Sequence, residues 1–242
     1  MDLKGARQEA INGCSGPLAG IPFAVKDVLD TACLPTEMGA KIYAGNHARF
    51  DAGSVALVKQ AGGILIGKTA TAEFAGTHPP LTTNPHNPAH TPGGSSSGSA
   101  AAVAANMCTF ALGTQTGGSI LRPAAFCGVI GFKPTYGAYP ISGLLSAAHS
   151  FDTVGIFTKS ASDAREVHNA IMRQNNKKQP DIDRATIGVW KTDVSAKLSS
   201  EVDAAIDKVK DIFEHFGHGV FSLDLPKEFV ELSNLSFQLA NL

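Results

Sequence analysis

Two clusters of glycine and small hydroxyl residues constrain this chain more than any other feature: Gly93-Gly94-Ser95-Ser96-Ser97-Gly98-Ser99 and Thr116-Gly117-Gly118-Ser119. Residues this small let one backbone approach another closely, and glycine opens conformations that other residues resist. Such stretches predict turns packed tightly against neighbouring elements. Tight packing alone explains either cluster singly. It does not explain both together with a third feature, a lone lysine inside the apolar run Ile21-Pro22-Phe23-Ala24-Val25-Lys26.

Around the clusters the pattern alternates between strand and helix, which predicts an α/β fold. Pro22 to Leu29 is apolar enough for a buried strand, with Lys26 inside it. Asp51 is placed to cap a helix carrying Val55, Leu57, Val58 and Ala61, and Ile64-Leu65-Ile66 follows as the next buried strand, completing a βαβ-like unit. Between Gly76 and Gly94 the prolines Pro79, Pro80, Pro85, Pro88 and Pro92 predict a long irregular surface crossing. Ser95 to Ala105 has helix-start chemistry followed by alanines, and Thr109 to Leu112 predicts a short strand leading into the second cluster.

Past Gly155, Ser160 or Ser162 caps a helix through Ile171, and a charged connector runs from Arg173 to Arg184. A strand at Ile187–Trp190 comes next. Val202, Ala205, Ile206, Val209, Ile212, Phe213 and Phe216 fall on one helical face, and Val220 to Leu225 is a strand. An apolar pattern from Phe229 to Leu242 follows with no later element to bury it.

Composition narrows the function classes. With 242 residues, 43% of them hydrophobic and 17% charged, the chain can bury a real core. A net charge of −1 with thinly spread Lys and Arg leaves no footprint for a phosphate backbone or an anionic membrane, so neither nucleic acid nor membrane is expected as a direct partner. No apolar stretch reaches spanning length, and Lys4, Arg7 and Glu9 interrupt the N-terminus, which predicts a soluble cytoplasmic protein. Cys14, Cys33, Cys108 and Cys127 show no CxxC spacing and are expected to pack in a reducing compartment. His78, His86 and His90 share a loop, and His215 and His218 lie near a helix end, without carboxylates or cysteines to complete a ligand set. No metal and no cofactor is expected.

A lysine buried among apolar residues loses the hydration of its ammonium, its pKa falls, and it becomes a general base near neutral pH. The bland alternative for Lys26 is a strand-end lysine whose head reaches water. Gly94-Ser95-Ser96-Ser97-Gly98 also fits a G-x-S-x-G nucleophile elbow centred on Ser96, but that elbow needs a strand before it, where the proline-rich crossing stands. No Gly-Lys-Ser/Thr ending supports a phosphate loop. Asp27, Glu37 and Glu73 are best read as turn or capping residues.

In order, spacing and flanks, Gly20-Ile21-Pro22-Phe23-Ala24-Val25-Lys26-Asp27, Pro92-Gly93-Gly94-Ser95-Ser96, Thr116-Gly117-Gly118-Ser119 and Phe126-Cys127-Gly128 resemble the amidase signature family, over about residues 16–164. The resemblance implies a Ser–cis-Ser–Lys triad whose motif positions fall on Lys26, Ser95 and Ser119, with the two serines 24 residues apart. Ser119 would be the acyl-forming nucleophile, Ser95 the bridging serine and Lys26 the base. The backbone N–H groups of Thr116, Gly117, Gly118 and Ser119 would form the oxyanion hole.

The implied fold is a central mixed β-sheet flanked by helices, with residues 1–242 as a single domain. The implied reaction is hydrolysis of a small-molecule carboxamide. The chain departs from the family at Ser97, where a glycine is usual, and at Leu121, where many members have an arginine that here stands one place later as Arg122. Gln115 occupies a position where the A subunit of aminoacyl-tRNA amidotransferases usually has aspartate, which favours a free-standing amidase over an A-subunit-like component. Family members are considerably longer, so the fold is expected to be incomplete on its C-terminal side. A non-catalytic remnant or gene fragment is the rival reading, with self-association through an exposed apolar edge.

Overall fold

The computed structural model describes residues 2–173, 184–190 and 199–223, with 226, 228, 229, 231, 232 and 235. The chain divides into two compact units, Met1–Asn176 and Lys177–Leu242.

The first unit runs α1 (Leu3–Asn12), β1 (Pro22–Lys26), α2 (Gly53–Gln60), β2 (Ile64–Thr69), α3 (Ser97–Ala104), β3 (Phe110–Gln115), α4 (Leu121–Cys127), β4 (Ile130–Phe132), β5 (Thr153–Thr158) and α5 (Ala161–Ile171). Its strands form one sheet in the order β2-β1-β3-β5-β4. The pairs β1–β2 and β1–β3 are parallel, while β3–β5 and β4–β5 are antiparallel. The sheet is therefore mixed, as the resemblance implied. Parallel neighbours need crossover connections, which α2 and the proline-rich crossing with α3 supply.

Strand periodicity sorts side chains onto two faces. Phe23, Val25, Phe110, Leu112, Val154 and Ile156 join Val55 and Val58 of α2 and Val167 and Ile171 of α5 in one core. The Phe23 and Phe110 rings stack there with centroids 5.4 Å apart. Ala24, Ala111 and Phe157 face the other way, against Ala100–Val103 of α3 and Ile120, Ala124 and Cys127 near α4. Two positions beyond Ala24, the same alternation aims Lys26 at the α3 side. Ser97 to Val103 are all buried, so α3 sits inside the molecule and lacks an exposed polar stripe. Its small residues permit this. A side chain at Gly98 would collide with the backbone of Ala70.

Several local expectations shift. The strand β1 stops at Lys26 because the N–H groups of Val28 and Leu29 turn back to the Lys26 carbonyl at 2.8 and 3.0 Å. Asp51 does not cap α2, whose N-cap is Ala52 without a side-chain bond. Its carboxylate instead accepts from the Ala32 N–H at 2.8 Å and pairs with Lys59 at 2.9 Å. Ser160 caps α5 as expected, accepting from the Asp163 N–H. The helix α4 had no sequence signal because Pro123 interrupts it. Proline is tolerated there because a first-turn N–H has no intrahelical acceptor to lose.

The second unit contains β6 (Thr186–Val189), α6 (Ser200–His215) and β7 (Gly219–Ser222), with β6 and β7 parallel. Ser199 caps α6 through the Val202 N–H. The strands fall close to their expected places. Residues 174–183 of the expected connector and Val230, Phe237 and Leu239 of the C-terminal pattern lie outside the described residues, while Phe229, Leu232 and Leu235 are exposed. Among the described residues no helix is long and apolar enough to cross a membrane, and no group of three or more His, Cys, Asp or Glu could hold a metal ion.

Candidate active site

Lys26 ends β1 with its side chain fully buried, so the snorkelling alternative does not apply. Its Nζ donates to Ser95 Oγ and to Thr114 Oγ1, each at 2.8 Å. Burial pushes the Lys26 pKa from 10.5 down to about 7, partly opposed by the carboxylate of Asp152. Ser95 is buried, and the Gly94–Ser95 peptide is cis.

Two of the remaining hydroxyls of the first cluster, those of Ser96 and Ser99, are used in structure. Ser96 Oγ donates to the Thr114 carbonyl at 3.1 Å and accepts from the Thr114 N–H at 3.3 Å, while its side chain is fully buried. No strand leads directly into it, β2 having ended at Thr69. Ser96 is thus a strut between the cluster and β3, and the nucleophile-elbow alternative fails. Ser99 Oγ donates to the Leu112 carbonyl at 3.0 Å and lies 2.7 Å from Thr69 Oγ1, tying α3 to β3 and β2. Ser97 begins α3 without a positive φ, so a serine fits where the family usually has glycine.

The second cluster forms the turn between β3 and α4. Thr116 Oγ1 donates to Asp152 Oδ1 at 2.5 Å, and Asp152 Oδ2 accepts from Ser146 Oγ and from the N–H groups of Ala147 and Ala148 at 2.9–3.0 Å. The Gly118 carbonyl accepts from the Arg122 N–H at 3.0 Å. Among the described residues, none of the N–H groups of Thr116, Gly117, Gly118 and Ser119 finds an acceptor, and the half-buried Ser119 hydroxyl has no hydrogen bond.

Neither Gly117 nor Gly118 has a positive φ. A Cβ on Gly117 would meet nothing within 4 Å, and one on Gly118 would meet only Arg122 Nη1, at 4.0 Å. The protein's own packing therefore does not demand these two glycines.

Arg122, left without a role by the sequence, ties the clusters together. Its Nε and Nη2 donate to the Gly94 carbonyl at 3.0 and 2.7 Å. The structure thus joins Lys26, Ser95 and Thr114 in one hydrogen-bonded group and leaves Ser119 on the neighbouring turn without a bond to it. Asp27 and Glu37 do turn work: Asp27 pairs with Lys68 at 3.1 Å and accepts from the Glu37 N–H, and Glu37 accepts from the Gly45 N–H at 2.8 Å. His86 Nε2 lies 2.8 Å from the Cys127 carbonyl, a packing role. Sequence reasoning missed Thr114 and Asp152, which carry no motif and reach the site only through sheet pairing and loop closure.

A mixed sheet flanked by helices, with a lysine buried against a serine at a strand end beside a glycine turn, defines an α/β protein built around a serine–lysine pair. The family model described as Amidase matches residues 3–241, and the chain belongs to the amidase family. The A subunit of glutamyl-tRNA(Gln) amidotransferase from Desulforapulum autotrophicum is 38% identical, over 91% of this chain and 50% of its own length. The crystal structure of the corresponding protein from Thermotoga maritima superposes with a TM-score of 0.82 at 31% identity, covering 94% of this chain and 55% of the other. Native peptide amidase from Stenotrophomonas maltophilia gives 0.78 at 32% identity, covering 90% and 51%. The chain spans about half the length of these relatives.

Proposed function

We propose that the chain hydrolyses a carboxamide through an acyl-Ser119 intermediate. In neutral Lys26 the 2.8 Å contact reverses, with the Ser95 hydroxyl donating to Nζ. Lys26 takes that proton as Ser95 takes that of Ser119, and the Ser119 oxygen attacks the amide carbonyl. The resulting oxyanion is received by the unengaged N–H groups of Thr116, Gly117, Gly118 and Ser119. Collapse breaks the C–N bond, and the amine leaves with the proton returned from Lys26 through Ser95. Water then attacks the acyl ester, giving its proton through Ser95 to Lys26, and collapse breaks the ester C–O bond as that proton returns through Ser95 to the Ser119 oxygen, freeing the acid and Ser119.

The observation that carries this reading is the buried Lys26 Nζ held 2.8 Å from Ser95 Oγ with a pKa of about 7, so that a base is present at neutral pH. The two glycines support it, since space not required by the fold is space for a substrate carbonyl. A fluorophosphonate probe tests it. Ser119 is the expected site of labelling, abolished by Ser119→Ala, and labelling of Ser96 would contradict the mechanism.

The relatives named as parts of an amidotransferase favour a second reading, in which the amide is glutamine and its nitrogen passes to a partner. Ammonia release from glutamine, compared with release from simple amides, separates the two. The Gln115 side chain is engaged within the turn, so it does not weigh between them. The family match across both compact units supports one amidase domain that is longer in the relatives. Free cysteines, two of them buried, support a reducing cytoplasmic setting.

A further inference from the structure

Gln115 is singled out by the sequence, yet the proposed mechanism gives it no task. Its side chain is buried at the end of β3. There Oε1 accepts from the N–H groups of Ile120 at 2.8 Å and Leu121 at 3.0 Å, and Nε2 donates to the Gly117 carbonyl at 3.1 Å. The first two bonds satisfy N–H groups at the start of α4 that have no acceptor within the helix. The third bond orients the turn. In a trans peptide the C=O and N–H point in opposite directions, and the only cis bond among the described residues is Gly94–Ser95. A Gly117 carbonyl held against Gln115 therefore turns the N–H of Gly118 away from Gln115, where no group of the described residues accepts it. The Gly118 carbonyl, held by the Arg122 N–H, turns the N–H of Ser119 in the same manner.

We propose that Gln115 is a positioning residue that aims the Gly118 N–H at the oxyanion formed on the substrate, and this rests on the reading of Ser119 as nucleophile. The task needs an amide of this length. A glutamate accepts from Ile120 and Leu121 as well, but when ionised it has no hydrogen for the Gly117 carbonyl and sets oxygen against oxygen. An aspartate is also one methylene shorter. In Gln115→Glu the helix start is kept and the turn is released.

The experiment compares the wild-type chain with Gln115→Glu, Gln115→Met and Ser119→Ala. It measures the rate of phosphonylation by an alkyl fluorophosphonate with mass-spectrometric location of the adduct, kcat and KM on a simple carboxamide, and a thermal melt. Gln115→Glu is expected to melt below the wild type because it buries a carboxylate against a carbonyl, to label Ser119 about 10- to 100-fold more slowly, and to lose kcat by a similar factor with KM changed less than about threefold, the signature of support made only in the transition state. If the buried carboxylate prevents folding, Gln115→Met fills a similar volume but removes the two helix-start bonds as well as the Gly117 bond; wild-type labelling by the folded variant then overturns the role, and a kcat loss at unchanged KM supports it. A folded variant that labels at the wild-type rate overturns the role of Gln115 while leaving the nucleophile intact. Labelling that persists in Ser119→Ala, or that never occurs at Ser119 in the wild type, overturns the amidase reading and this role with it.

Discussion

Replacing Lys26 by methionine tests the electrostatics beneath the proposed chemistry, because methionine fills similar volume without a charge. The lysine titrates near 10.5 when unfolded and at about 7 when folded. At ~1.36 kcal/mol for each pH unit, this gap costs the folded state about 5 kcal/mol wherever the unfolded lysine is protonated and the pH is below 7. Between pH 7 and 10.5 the unfolded chain holds a proton that the folded chain has lost, so wild-type stability rises with pH through that window, by about 1.4 kcal/mol per unit. Below and above the window this contribution is flat.

The methionine variant lacks it. It does leave the hydroxyls of Ser95 and Thr114 without their shared partner, at about 1–3 kcal/mol each, but that cost does not depend on pH. The two proteins should therefore lie close in stability near pH 6, with the wild type pulling ahead by about 5 kcal/mol as the pH approaches 10.5. Urea denaturation followed by far-ultraviolet circular dichroism across this range gives the difference curve, in which every other titration cancels. A flat difference would show that Lys26 keeps an ordinary pKa, and the neutral-base argument would fail.

The same pKa sets the rate profile: kcat/KM should climb about tenfold per pH unit below about 7 and then level off, and a profile flat through that region refutes lysine as the base. Ser96→Ala removes both bonds to the Thr114 backbone and should lower stability by about 1–3 kcal/mol in urea denaturation while Ser119 remains the labelled residue; unchanged stability would contradict the strut role. Gly117→Ala places a methyl in open space, so the melting temperature should hold while acylation slows by about tenfold or more. A variant that acylates at the wild-type rate would show that no substrate group approaches there. Val202, Val209, Ile212 and Phe216 stand exposed on and just beyond α6, which predicts self-association of the chain. Light scattering that finds a monomer at all concentrations contradicts it.

What the sequence determined by itself was local chemistry. The apolar run to Lys26 was legible as a buried strand because the side chains of an interior strand must be apolar on both faces, and the lysine stood out against them. The serine cap of α5 was legible because capping uses one side chain and an N–H three residues on. The second glycine cluster was legible as a turn, and the first as the approach to a helix that begins at Ser97, for the same local reason. Asp51 misled because it has the composition of a cap, while its bonds go to Ala32 and Lys59. The tertiary structure decided the rest. Thr114 reaches Lys26 across 88 residues, and Asp152 reaches Thr116 across 36. The first contact depends on the parallel register of β1 and β3, which pairs Val25 with Leu112, and the second on the antiparallel return of β5, which pairs Gln115 with Thr153. Even the lowered pKa of Lys26, the property on which the chemistry turns, belongs to the fold. An apolar neighbour in sequence does not desolvate an ammonium, but the completed burial of Lys26 against Ser95 and Thr114 does.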